Sequence, residues 1–140
     1  MLTRLLGALL LLSGTAAPLL AQRSHFGPHV AYNFDIKETA IGAQLHMPIA
    51  RGIEFYPSFD YYLVDTGSLW GLSADLKFRT PGDPLYLGGG LNVLNNDTGL
   101  DVFAGLETRY GWSHPYVEIR GLFHNGSALQ GAFGINITLR

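Results

Sequence analysis

Residues 69–79 read Leu69-Trp70-Gly71-Leu72-Ser73-Ala74-Asp75-Leu76-Lys77-Phe78-Arg79. The even positions are all apolar: Trp70, Leu72, Ala74, Leu76 and Phe78. The odd positions from Gly71 onward are small, polar or charged: Gly71, Ser73, Asp75, Lys77 and Arg79. Side chains alternate across a strand with period two, whereas a helix would scatter these two sets around its axis. The stretch therefore reads as a strand with one apolar and one charged face.

The same alternation extends through residues 24–140. Turn residues punctuate it at Asp35-Ile36-Lys37-Glu38, Ala50-Arg51-Gly52, Asp65-Thr66-Gly67-Ser68, Pro81-Gly82-Asp83-Pro84, Asn95-Asn96-Asp97-Thr98-Gly99, Gly111-Trp112-Ser113-His114 and Asn125-Gly126-Ser127. Gly, Asn, Asp and Pro gather there because they suit tight or positive-φ turns. The spacing predicts eight strands, near 25–34, 40–49, 53–64, 69–79, 85–94, 100–110, 115–124 and 129–139. Bulky apolar residues fill one face of every strand. The other face carries Glu54, Asp60, Asp75, Lys77, Asp101, Glu107, Arg109, Glu118 and Arg120, with Arg79 and Arg140 at strand ends. His29, His46, Gln44, Asn92 and Asn136 share it, with many of the glycines.

The composition fits one domain of 140 residues in which only 14% of residues are charged, with 18 glycines, 12% aromatics and no cysteine. An average soluble protein is about 25% charged. A net charge of -2 without a basic block argues against nucleic acid as a partner. An eight-stranded barrel has an interior just wide enough to be filled by side chains. The whole apolar face would not fit there, whereas glycine and small polar groups would. The apolar face is therefore expected to point outward into lipid. A sheet in hydrocarbon must close, because an open edge leaves backbone groups unpaired. Each strand is close to the roughly 9–11 residues that cross a bilayer.

Aromatics mark both strand ends: Phe26, Phe55, Phe78, Tyr86, Tyr110, Trp112 and Tyr116 on one side, and Tyr32, Phe34, Tyr61, Trp70 and Phe123 on the other. They are read as interfacial girdles. The first 21 residues follow a secretory pattern. Arg4 opens it, Leu5 to Leu12 form a short apolar core, and Leu19-Leu20-Ala21 fits a cleavage site before Gln22. The expected organisation is a signal peptide over 1–21 and a barrel domain over 22–140.

With these features the chain resembles the small eight-stranded outer-membrane β-barrel family, the OmpA/OmpX-like group of Gram-negative bacteria. The resemblance spans nearly all of 24–140 and rests on pattern. It implies an all-β, antiparallel, up-and-down transmembrane barrel with both termini in the periplasm and a lumen filled by a polar, ion-paired network. It also implies outer-membrane lipid and the barrel assembly machinery as partners. The chain departs from the family in ending Leu139-Arg140, where members usually end in an aromatic residue. Pro57 inside the third strand cannot donate a ladder hydrogen bond and predicts a bulge or local bend there.

Motifs with chemical meaning are few. Asp65-Thr66-Gly67 and Asp97-Thr98-Gly99 spell an aspartic-protease triplet, yet both fall in hairpins at one end of the barrel and read as turns. Gly88-Gly89-Gly90 lacks the Lys-Ser/Thr of a phosphate loop and reads as a close-packed strand. His124 and Ser127 distantly resemble the catalytic pair of outer-membrane lipid A deacylases, but no acidic residue follows Ser127. His29, His46 and His124 are read as hydrogen-bonded luminal groups, with no metal or cofactor. The sequence thus points to a monomeric, non-enzymatic envelope barrel with a structural or partner-binding role. The alternatives are a lipid-modifying membrane enzyme and a soluble lipocalin-like carrier.

Overall fold

Eight alternating segments, each too short to bury its backbone alone, satisfy their hydrogen bonds by pairing with their neighbours. They form β1 (His25–Asn33), β2 (Glu38–Ala50), β3 (Ile53–Tyr62), β4 (Leu69–Arg79), β5 (Leu85–Leu94), β6 (Asp97–Glu107), β7 (Ser113–Phe123) and β8 (Ser127–Thr138). The computed structural model describes residues 24–80, 82–108 and 111–139. The expected signal peptide and Arg109 lie outside the described residues. All strands are antiparallel to their neighbours, in sequence order around a closed barrel. Closure comes from β1 and β8, which pair from His25↔Thr138 to Asn33↔Gln130.

The connections are tight. Ala50 pairs with Ile53 across Arg51-Gly52, and Leu94 pairs with Asp97 across Asn95-Asn96. Gly52 adopts φ 75° and accepts the Arg79 amide at 2.9 Å, a close approach that a Cβ would obstruct. Asn95 takes the left-handed backbone (φ 52°), and its side-chain oxygen accepts the Trp70 amide at 3.0 Å. This turn holds the β3–β4 hairpin as well as its own. Because Asn95-Asn96 suffices as a turn, β6 begins at Asp97 rather than at Leu100, where the turn-rich composition had placed it. No register shift occurs at Pro57, where a bulge or local bend was expected: Pro57 pairs with Ala74 on β4, and β2 and β3 keep one register from Gln44↔Ser58 to Met47↔Phe55. The register shift falls between Pro48 and Ala50 on β2, where the ladder turns into the hairpin.

The apolar face points outward in every strand. Ile119 is 62% exposed and Phe133 61%, while Asp75 and Lys77 are each 1% exposed. Two aromatic residues assigned to the girdles are exceptions. Tyr86 and Tyr116 lie inside the lumen and pack with Tyr56 and Phe103. Their parity already placed them there: Tyr86 is two residues before Gly88, and Tyr116 two before Glu118.

Glycines make room for these rings. Phe103 stands directly across from Gly88, Tyr86 from Gly105 and Tyr116 from Gly134. A Cβ on Gly88 would lie 2.5 Å from the Phe103 ring, one on Gly105 2.5 Å from Tyr86 Cζ, and one on Gly134 2.9 Å from Tyr116. Overpacking a filled interior costs about 1–3 kcal/mol. Gly105→Ala should therefore lose stability of that order in urea unfolding of the refolded barrel. Gly126→Ala, with nothing within 4 Å of the added carbon, should stay near wild type.

Candidate functional site in the barrel lumen

Strict alternation sends charges from neighbouring strands to the same interior, where a charge is costly unless paired. Arg120 on β7 is the centre of the first group. Its Nη1 donates to Asp75 Oδ2 at 2.7 Å, Asp101 Oδ2 at 2.5 Å and Ser73 Oγ at 3.1 Å. Its Nη2 lies 3.6 Å from Glu118 Oε2. The guanidinium also lies over the Phe103 ring, 4.6 Å from its centre. Gly90 makes the convergence possible. It pairs with Asp75 on one side and Asp101 on the other, and a Cβ there would come within 2.6 Å of Asp75 Oδ1. The glycine triplet thus has two luminal tasks, Gly88 facing Phe103 and Gly90 separating two carboxylates.

The second group lies toward the end where β1 begins and β8 ends. Arg79 bridges Glu54 at 3.0 Å and Glu107, and Lys77 lies 3.4 Å from Glu107. Lys77 also stands 4.0 Å above the Tyr86 ring. Arg79 was placed on this face at a strand end but left out of the expected ion-pair network, yet it is buried within it. Its odd-numbered position, shared with Asp75 and Lys77, was the available signal.

A chain of polar side chains extends from this group along the interior. Asn136 donates to Glu107 at 2.5 Å, and Gln44 donates to Asn136 at 2.7 Å. His29 Nδ1 bonds to Gln44 Oε1, and His29 Nε2 lies 2.5 Å from Asp60 Oδ1. Five strands, β6, β8, β2, β1 and β3, are tied by this one path. At the opposite end Tyr62 packs with Ala31 and Ala40, against Val64, Leu69 and Leu94, and its hydroxyl bonds to Gln130, which is buried there together with Asn33.

Of the nine charged residues assigned to the lumen, Glu54, Asp60, Asp75, Lys77, Asp101, Glu107, Glu118 and Arg120 all point inward. Arg109 lies outside the described residues. Among the described residues six carboxylates therefore face three cations: Lys77, Arg79 and Arg120. One oxygen each of Asp75, Asp101 and Glu118 makes no hydrogen bond to a described group. His46, His29 and His124 are separated in depth. His46 bonds to Glu54, His29 to Asp60, and the half-buried His124 keeps its Nε2 without a described partner. Ser127 is exposed at the start of β8, and Glu118 is committed to Arg120.

The luminal side chains are thus cross-linked by ion pairs and hydrogen bonds. Removing one member of a buried ion pair costs about 3–5 kcal/mol, because its partners stay buried and uncompensated. Arg120→Met should lose about that much in urea titration. The triple variant R120M/D75N/D101N should recover most of the loss, since it removes the stranded charges as well.

No family profile matches the chain, and no curated protein matches it in sequence. Solved structures match in shape. The N-terminal β-barrel domain of Pseudomonas aeruginosa OprF superposes with a TM-score of 0.71 at 16% identity, covering 84% of this chain and 97% of that one. A protein from the de novo design of transmembrane β-barrels gives 0.67 at 16% identity, with 84% and 95% covered. The solution structure of the designed barrel TMB2.3 gives 0.64 at 15% identity, with 84% and 96% covered. The chain therefore has the fold of a small closed eight-stranded β-barrel, shared with barrels that include designed transmembrane ones.

Proposed function

We propose that the protein is a small outer-membrane β-barrel that serves the envelope structurally or by contacting a partner, without catalysis and without a wide pore. The observation that carries this reading is the inversion of the two faces. Large apolar side chains such as Leu72, Leu87, Val102, Ile119 and Phe133 are exposed around the wall, while charges within the strands such as Asp75, Lys77, Asp101 and Arg120 are inside. Water would penalise such a wall, whereas a bilayer accepts it. Its ligands are the surrounding lipids. In this reading it reaches the membrane through a cleaved signal peptide and the barrel assembly machinery, and works as a monomer.

Three observations on cells and purified protein test it. The mature chain should fractionate with the outer membrane and show heat-dependent gel mobility; recovery in the soluble periplasm would favour a lipocalin-like carrier instead. Val102 lies mid-strand on the outer wall. A cation at the bilayer midplane costs roughly 2–4 kcal/mol. Val102→Arg should lose that much in lipid vesicles, and little if the wall faces water.

The ion pairs and packed rings inside the barrel support the reading without a wide pore. Planar bilayers should therefore show no large, stable unitary conductance. With the N-terminus periplasmic, the turns at 34–37, 63–68, 95–96 and 124–126 face outward. Tags at Gly67 or Gly126, both free of close neighbours, should be reachable on intact cells. A tag at Gly82 should become reachable only after permeabilisation. Gly52, equivalent to Gly82 by sequence, is a poor site because it packs on Arg79.

A further inference from the structure

Two turns at the end of the barrel where β1 begins and β8 ends bring unlike charges side by side. Arg51 lies in the short turn between β2 and β3, and Asp83 in the turn between β4 and β5. The first turn is tied to the end of β4, because the Gly52 carbonyl accepts the Arg79 amide. The second is tied by its own hydrogen bonds. The Asp83 amide donates to the Thr80 carbonyl at 3.0 Å, and Asp83 Oδ1 accepts the Leu85 amide at 2.9 Å. The carboxylate is thereby oriented, with Oδ2 left over. Arg51 and Asp83 are both exposed, and among the described residues no ion pair engages either of them.

An open recess of about 540 Å³ lies between these turns. Arg51, Thr80 and Asp83 line it beyond the strand ends, and Ile53, Phe78 and Leu87 line it within the strands. Ile53 stands across from Phe78, and Phe78 from Leu87, so the three share the outer face of the wall. Two positions further along β5 the wall lacks a side chain: Gly89 sits between Leu76 and Val102. The apolar floor of the recess therefore continues as a shallow groove toward the middle of the barrel. Arg79 also borders the recess, but its guanidinium is committed to Glu54 and Glu107. Arg51 is left to supply the cation, Asp83 the anion and Thr80 a hydroxyl.

We propose that this recess seats one phospholipid whose headgroup carries a phosphate and a primary ammonium, a phosphatidylethanolamine. The proposal rests on the membrane reading above, which places the recess where the wall meets the headgroups. Arg51 donates to the phosphate, for which a planar guanidinium is well shaped. The Thr80 hydroxyl adds a second donor. Asp83 accepts from the ammonium, and an acyl chain lies over Ile53, Phe78 and Leu87 toward Gly89. Charge complementarity selects this ligand. A purely anionic headgroup would satisfy Arg51 but stand against Asp83. A quaternary choline head has no N–H for the carboxylate to accept. A soluble zwitterion would leave the apolar floor uncovered, and a bare alkyl chain would leave both charges without partners.

The test is native mass spectrometry of the full mature barrel, refolded in detergent and titrated with dioleoyl phosphatidylethanolamine, phosphatidylcholine or phosphatidylglycerol. We expect one ethanolamine lipid to be retained per barrel, about 10-fold more tightly than either of the others, the scale of one charge-assisted hydrogen bond. Asp83→Asn keeps an acceptor for the Leu85 amide and removes the charge. It should bring the ethanolamine lipid down to the choline lipid and let phosphatidylglycerol bind more tightly. Arg51→Gln should weaken all three, and phosphatidylglycerol most. Lys37→Gln, in an exposed turn at the opposite end, should match wild type. Heat-dependent gel mobility checks that each variant is folded, and the comparison of headgroups on the wild-type barrel needs no substitution. Equal retention of the three headgroups, a preference unchanged in both Arg51→Gln and Asp83→Asn, or no retained lipid would each overturn the seat. The membrane reading is judged separately, by Val102→Arg in vesicles, so its failure is told apart from failure of this site.

Discussion

The pairing of β1 with β8 is the constraint on which the rest of the structure depends. Without it the sheet would carry two open edges, and the backbone groups of His25–Asn33 and Ser127–Thr138 would lack partners on one side. With it, an eight-stranded wall has a fixed and narrow interior. That limit decides which side chains go where. The large apolar groups cannot all enter, so they stay outside. Everything that does enter must be paired or packed.

Pairing and packing are handled by the same few rows of residues. At Gly90, absence of a side chain lets Asp75 and Asp101 approach Arg120 from either side. At Gly88 and Gly105 it admits Phe103 and Tyr86, and these rings lie beside the cations of Arg120 and Lys77. Glycine is a poor strand former on propensity alone. Here its cost is offset by burying an aromatic ring or an ion pair across the ladder, as deliberate glycine positions do in curved sheets. The high glycine content and the low charge content have one geometric cause.

Much of this was legible in the sequence because alternation is a parity rule. Once Asp75 and Lys77 are inside, so are Ser73 and Arg79, and one strand's parity constrains its neighbours through the register. Strand number, the two faces and the inward charges follow from that rule. Its misses are local. Tyr86 and Tyr116 were taken for interfacial residues because aromatic type and strand-end position outweighed parity. A bulge or local bend was expected at Pro57, but a proline lacks only one donor, and the register on its β4 side is unbroken. The irregularity beside Pro48 arises from fitting the Arg51-Gly52 hairpin, a tertiary demand with no separate mark in the sequence. Which acid meets which base was also hidden, since partners such as Asp75 and Arg120 are far apart in the chain and converge only through the barrel's curvature.

The two ends of the lumen differ, and the difference bears on what the barrel can do. At one end Tyr62, Val64, Leu69 and Leu94 close over Ala31 and Ala40, beneath hairpins too short to fold back as a plug. At the other, Glu54, Arg79 and His25 stand near the mouth and continue inward through Glu107, Asn136 and Gln44. A solute from the first side meets packed apolar groups. A solute from the second meets carboxylates already paired with Arg79 and Lys77. The two ends thus differ in what fills them, a cluster around Tyr62 at one and the Glu54–Arg79–Glu107 ion pairs at the other, and each holds neighbouring strands together in its own way.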